Sequence, residues 1–206
     1  MPPADLALVL AVDGSASVTF DEFNMIAGGL AEALRDPAVI RGLTSGQQLA
    51  SLCAVIIFSG AGSAEIMVGW TRIASREDTL AFADRVDMIP RIVRPGLTAI
   101  GAALLAAFAL LAAAPAPATR RLVDIASDGS SNDGPPPGPI RDQMVAAGIT
   151  INGLCVLHEE PDLVATYTRE VIGGPGAFAL PCPDYPAFSD AMRRKLLREV
   201  SQTPMV

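Results

Sequence analysis

The chain has 206 residues, and at roughly 150 residues per domain a single domain over 1–206 is expected, since no low-complexity linker or internal repeat divides it. Half of its residues are hydrophobic and 18% are charged, which supplies a sizeable core and excludes a disordered or fibrous chain. A net charge of −7 excludes a protein that neutralises many phosphates, so neither nucleic acid nor an anionic lipid surface is an expected partner.

The first apolar run, Leu6–Val12, reads as a buried strand. It lacks the marks of a signal-peptide core, because no basic segment precedes it and Asp13 ends it without a small-residue cleavage pattern; any export signal is expected to have been removed. A helical pattern over Phe20–Leu34 follows, then strands at Leu52–Ser59 and Ile66–Trp70. The Gly60–Glu65 link between these two strands is too short for a crossover, so they should pair antiparallel at a sheet edge. Helical patterns cover Ser75–Met88 and Ala99–Ala114. The second contains the longest apolar stretch, Ile100–Ala114, which is mostly alanine, too short to cross a bilayer and closed by Pro115 and Pro117. It reads as a buried helix, and the chain as not transmembrane.

Further along, strands at Leu122–Ser127, Ile149–Val156 and Ala177–Leu180 alternate with helices at Pro139–Ala147, Asp162–Ile172 and Tyr185–Val200. Continuous apolar strands are buried on both faces, and the helices between them supply the crossovers that parallel strands need. The expected fold is therefore α/β: a doubly wound (Rossmann-like), mostly parallel six-stranded sheet with one antiparallel edge strand and helices on both faces. Ligands of such sheets lie outside the carboxyl ends of the strands.

At the first of those ends stands Asp13-Gly14-Ser15-Ala16-Ser17, a carboxylate and two hydroxyls at alternate positions. Oxygen donors grouped in this way suit a hard cation such as Mg²⁺. Helix capping explains the same residue types, with Ser15, Ser17 or Thr19 as cap and Asp13 beside the positive helix end, and the loop alone leaves the two readings level. Two further loops at the same edge favour the cation: Ser127-Asp128-Gly129 after the fourth strand, and Gly96-Leu97-Thr98 before the alanine-rich helix.

With these five positions the sequence resembles the von Willebrand factor type A (vWA) domain, whose metal-ion-dependent adhesion site (MIDAS) combines an Asp-x-Ser-x-Ser loop with a Thr and an Asp on two other loops. The matching residues are Asp13, Ser15, Ser17, Thr98 and Asp128. The resemblance is strongest to a bacterial subgroup of vWA-like proteins, often exported. It rests on Phe58-Ser59-Gly60-Ala61-Gly62-Ser63, Arg35-Asp36-Pro37, Gly148-Ile149-Thr150-Ile151-Asn152-Gly153-Leu154 and Val171-Ile172-Gly173-Gly174-Pro175-Gly176-Ala177. Ala16 stands where glycine is usual, and Leu97 and Ala99 where Gly and Ser are common, so the ligand atoms are kept while the surface around them changes.

The resemblance implies that Ser15 and Ser17 bind Mg²⁺ or Mn²⁺ directly, with Ca²⁺ also acceptable. It further implies that Asp13 and Asp128 act mainly through water and that Thr98 binds when a partner is engaged. An under-neutralised cation beside a helix N-terminus seeks an anion, so the implied partner is a protein presenting an acidic side chain. The expected function is non-enzymatic adhesion, assembly or scaffolding in the periplasm or outside the cell, with the cytoplasm kept as the alternative. Two other classes stay open: a metal-dependent phosphoester hydrolase, for which no nucleophile or base is evident, and an intracellular adaptor for an ATPase or metal-insertion machine.

Other features read more plainly. His158, the only histidine, is expected in a surface loop, and Gly173-Gly174-Pro175-Gly176 precedes a strand and reads as a turn. No GxSxG elbow, P-loop or dinucleotide fingerprint is present. The family fold places Cys155 and Cys182 on neighbouring strands, which leaves open either a disulfide or two buried small side chains. Trp70 is a candidate partner contact or a cover for the core. The last helix reads as an amphipathic cover, with Phe188, Met192, Leu196 and Leu197 facing in and Arg193, Arg194, Lys195 and Arg198 opposed. In switchable relatives this helix slides.

Overall fold

Strand β1 (Ala4–Asp13) lies at the centre of the sheet, and its ten residues are buried almost throughout because both faces are covered. Its even residues, Leu6, Leu8, Leu10 and Val12, enter one apolar layer, and Ala7, Val9 and Ala11 enter the other. The computed structural model describes residues 1–90 and 96–201. Beside β1 run β2 (Ser51–Phe58), β3 (Ala64–Ile73), β4 (Ala118–Ser127), β5 (Ile149–Val156) and β6 (Ala179–Cys182), in the order β3-β2-β1-β4-β5-β6. All neighbours are parallel except the β2–β3 hairpin, whose edge strand β3 shows the partial exposure of a one-sided strand. The expected architecture is thus the observed one.

Helices α1 (Phe20–Arg35), α2 (Pro37–Leu43), α3 (Arg76–Asp87) and α7 (Phe188–Val200) cover one face. Their Phe23, Leu30, Val39, Leu43, Phe82, Phe188 and Met192 are buried there, each apolar side chain contributing about 1.5–3 kcal/mol. On the opposite face α4 (Ile100–Ala112), α5 (Pro137–Ala146) and α6 (Leu163–Glu170) supply Ile100, Leu104, Ile140, Met144 and Leu163. Gly101 is required in α4 because a Cβ there would meet the Pro135 carbonyl oxygen at 1.9 Å. None of the described helices is long and apolar enough to cross a membrane.

Several local expectations change. Helix α2 has no counterpart in the sequence pattern, since seven residues are too few to show a period; Asp36 caps it by accepting from Ala38 N at 2.7 Å, with Pro37 in the first turn. Strand β6 sits two residues later than Ala177–Leu180, after the positive-φ turn residues Gly174 and Gly176. Cys155 and Cys182 are free thiols: Cys182 pairs in register with Val156, so the two cysteines project from opposite faces of the sheet into different apolar layers. Trp70 is half-buried against the α4 layer and its indole N–H donates to the Leu110 carbonyl at 3.1 Å, so it covers core. His158 is exposed in a loop, as expected.

The largest change concerns α7. Lys195, expected to face solvent, is fully buried, because positions 188, 192, 195 and 199 form one stripe and Lys195 and Glu199 continue the face begun by Phe188 and Met192. Its ammonium lies 2.6 Å from Asp124 Oδ1 of β4 and 2.5 Å from Glu199 Oε1. Asn152 of β5 donates to the same Glu199 oxygen at 2.8 Å.

Candidate metal centre

Strand register sets the frame of the site. Asp13 ends β1 opposite Phe58 of β2, and Val12 pairs with Ala126, so Asp13 and Ser127 finish adjacent strands at one edge. Gly14 lets the chain turn there: its N–H donates to the Phe58 carbonyl at 2.7 Å, and a Cβ would press Ile57 Cγ2 at 2.9 Å. The next residues fold back over the strand ends, held by a bond from Ala16 N to the Gly96 carbonyl at 2.9 Å.

The helix cap is Thr19. Its side chain accepts from Glu22 N at 3.3 Å, while Glu22 accepts from Thr19 N at 2.7 Å, a complete capping box. Ser15 and Ser17 therefore do not cap α1, and of the two readings of this loop capping falls to Thr19 alone.

Their hydroxyls turn toward the other loops. Thr98 Oγ1 donates to Ser15 Oγ at 3.2 Å, Ser15 Oγ and Ser17 Oγ are 3.1 Å apart, and Ser17 Oγ donates to Asp128 Oδ1 at 3.0 Å. Asp13 Oδ1 accepts from Ser15 N at 2.7 Å. All five predicted residues thus share one hydrogen-bonded cluster, with Asp13 and Asp128 each 1% exposed. The Thr98 loop is pinned on both sides: Thr98 N donates to Asn132 Oδ1 at 2.8 Å, Asn132 N to the Thr98 carbonyl at 2.9 Å, and Ala99 N to the Ser59 carbonyl at 2.9 Å.

Two residues outside the predicted set complete the cluster. Ser127 Oγ donates to Asp13 Oδ2 at 2.6 Å, and Tyr185 Oη, from the loop before α7, donates to Asp128 Oδ2 at 2.9 Å. Ser127 was visible in sequence as the last residue of a strand beside Asp128. Tyr185 had no signal, because it stands outside the motif loops, at what reads in sequence as the start of the last helix.

Electrostatically the cluster is out of balance. Among the described residues no Lys, Arg or His pairs with Asp13 or Asp128 in a salt bridge. Burial pushes the Asp13 carboxyl up to about 6, against the pull of its Ser127 and Ser15 donors and with a further push from Asp128. No three His, Cys, Asp or Glu side chains gather as metal ligands among the described residues, so any cation here would depend on hydroxyl oxygens as well as carboxylates. Such a set fits a hard, oxygen-loving ion.

The family model described as "Protein of unknown function (DUF1194)" matches residues 3–204. The chain belongs to this family. DUF1194 here has the vWA fold, which the chain shares with a von Willebrand factor type A protein of Catenulispora acidiphila at 17% identity and a TM-score of 0.68, over 97% of this chain and 44% of that one. Proximal thread matrix protein 1 from the mussel byssus is similar at 20% identity and a TM-score of 0.72, over 96% of this chain and 48% of that one. Another structure of the mussel protein, at a TM-score of 0.69, is described as having a zinc-occupied MIDAS motif. An aerotolerance-related membrane protein of Bacteroides fragilis is similar at 15% identity and a TM-score of 0.56, over 94% of this chain and 99% of that one. The DUF1194 chain spans about half the length of the mussel and Catenulispora chains. Comparison of the sequence with curated proteins finds no match.

Proposed function

We propose that this DUF1194 chain is a metal-dependent protein-binding module, non-enzymatic, in which Asp13, Ser15, Ser17, Thr98 and Asp128 hold Mg²⁺ or Mn²⁺ and an Asp or Glu of a partner protein completes the site. The observation that carries this reading is the pair of buried carboxylates, Asp13 and Asp128, joined through the backbone N–H of Ser15 and the hydroxyls of Ser15 and Ser17, with Thr98 bonded to Ser15 and no basic side chain paired to either carboxylate among the described residues. A hydroxyl that donates its proton to a carboxylate, as Ser17 does to Asp128, turns its oxygen outward as an acceptor, and beside the bond from Ser15 a lone pair is left for a cation. A divalent ion would relieve the two buried negative charges, and with only two carboxylates around it would keep waters that an incoming carboxylate can replace. The mussel protein's zinc-occupied MIDAS supports divalent binding in this fold. Action outside the cytoplasm is part of the proposal, in keeping with a byssus protein and a membrane protein among the similar structures.

Titration of Mg²⁺ and Mn²⁺ into chelator-treated protein tests it. A saturable rise in thermal stability is expected, about 2.7 kcal/mol at a hundredfold excess over Kd, lost in Asp13→Ala and reduced in Thr98→Ala. A folded wild type with no response to either ion, alone or with millimolar acetate, would end the reading.

A further inference from the structure

The loop after β4 brings Asp128 and Asp133 to the candidate metal centre, whereas three other segments beside it are uncharged, in a chain that is otherwise well supplied with charge. Residues 14–20, 59–64 and 96–100 include no Asp, Glu, Lys, Arg or His, although 18% of the chain is charged. Two large apolar side chains stand open to solvent on them: Phe20 is 62% exposed and Leu97 57%. Ala16 and Ala61 are exposed beside them. Leu97 immediately precedes Thr98, and Phe20 follows Ser17 by three residues, at the first turn of α1.

Packing offers no account of this exposure. Leu97 and Phe20 lie outside both apolar layers, while their neighbours Val18 and Ile100 are buried in them. Nor does the backbone require large side chains there, since the loop contacts run through Ala16 N, Gly96 O, Thr98 N and Ala99 N. Three carboxylates of the adjoining segments are engaged by backbone N–H groups: Asp133 accepts from Ala61 N at 2.7 Å, Glu160 from Ser130 N at 2.7 Å and Glu22 from Thr19 N at 2.7 Å, while Asp21, beside Phe20, is exposed.

From this we infer that the chain recognises an acidic residue flanked by apolar ones, carried on an exposed protein segment, with Leu97 and Phe20 as the specificity-determining contacts. The inference rests on the metal reading above and deepens it, because the cation selects the carboxylate while the rim selects its neighbours. A carboxylate with polar or charged neighbours would desolvate them against Leu97 and Phe20 with no partner to satisfy them. Apolar neighbours would remove both side chains from water.

Defined peptides provide the probe. In saturating Mg²⁺, acetyl-Gly-Glu-Gly-amide, acetyl-Ser-Glu-Lys-amide and acetyl-Leu-Glu-Phe-amide are titrated into ¹⁵N-labelled protein and followed by amide shifts, after Mg²⁺ binding itself has been measured without peptide. The apolar peptide is expected to bind about tenfold more tightly than the glycine peptide, a gain equal to burying roughly 55 Å² of apolar surface. Leu97→Ser and Phe20→Ser should each lower that gain while leaving Mg²⁺ affinity and glycine-peptide affinity unchanged. Equal affinity for the three peptides, a gain that survives both substitutions, or no peptide binding to the Mg²⁺-loaded protein would each overturn the rim and leave the metal reading standing. Failure of Mg²⁺ to bind at all overturns both.

Discussion

Two clusters in this molecule bring a pair of carboxylates together in nearly complete burial, and they meet that difficulty in opposite ways. Under α7, Asp124 and Glu199 sit on either side of Lys195, an internal cation that is itself fully buried. At the sheet edge Asp13 and Asp128 have only hydroxyls and backbone N–H groups as partners among the described residues. Desolvation of an ionised group costs several kcal/mol unless a countercharge offsets it. One cluster carries its countercharge on the chain and serves the fold; the other has none among the described residues, and the proposed function has it take one from outside.

The sharpest way to break the contrast is to remove the internal cation. Lys195→Met leaves Asp124 and Glu199 without a countercharge in the core, and a loss of about 3–5 kcal/mol is expected in urea denaturation. Replacing the triad together, Lys195→Met with Asp124→Leu and Glu199→Leu, should recover most of it, since apolar groups of similar volume commonly substitute for buried ion pairs. A loss below about 1 kcal/mol in the single variant would show that Lys195 does not neutralise the pair, and the two clusters would then be alike.

A second test reads the charge state of the triad. Burial pushes Asp124 up to about 7 from 3.8, with Lys195 pulling it down and Glu199 pushing it further up. Burial alone would lower Lys195, but Asp124 and Glu199 outweigh it and hold the ammonium above its ordinary value. The groups that face Asp124 are these two from α7 and, around Glu199, Asn152 of β5 and Arg120 of β4, whose guanidinium donates to the Glu199 carbonyl at 2.6 Å. Between the unfolded and folded values the native state holds a proton that the unfolded chain has released, so this contribution to stability is present at low pH and is lost as pH rises toward about 7. The difference in unfolding free energy between wild type and Asp124→Asn should therefore fall across that window, by at most about 1.4 kcal/mol per pH unit, and flatten above it. A difference that grows with pH would mean that ionised Asp124 is net stabilising.

What the sequence disclosed follows the range of each interaction. Asp13, Ser15 and Ser17 are legible because one short loop carries them, Asp128 because it follows a strand end at the same edge, and Thr98, in the loop before α4, through the resemblance to the vWA motif. The antiparallel β2–β3 hairpin followed from the length of its link. Lys195 was misread because the eye separates basic from apolar residues on a helix, whereas the stripe 188, 192, 195, 199 ignores that chemistry; its countercharge Asp124 lies far away in the chain. The cysteines misled for a related reason: adjacency of β5 and β6 was correct, but Cys182 stands in register with Val156 and not with Cys155, and that one-residue offset, which the sequence does not show, sends the two side chains to opposite faces.

Tyr185 joins the two regions and supplies the smallest test. Its hydroxyl, on a residue 4% exposed, reaches Asp128 of the candidate metal centre, while three residues later Phe188 begins the helix that carries Lys195. If the hydroxyl only fills core, Tyr185→Phe will lower stability in EDTA by about 1 kcal/mol and leave Mg²⁺ affinity untouched. If it also fixes the direction in which Asp128 presents Oδ1 to Ser17, the same variant will weaken Mg²⁺ severalfold, because a carboxylate that has lost its donor is free to turn from the cluster. The second outcome is expected, since both oxygens of Asp128 are held, one by Ser17 and one by Tyr185, and a side chain held at both ends has one orientation. Calorimetric titration of Mg²⁺ beside a melting curve in EDTA separates the two, and an unchanged affinity would confine Tyr185 to the packing of the loop before α7.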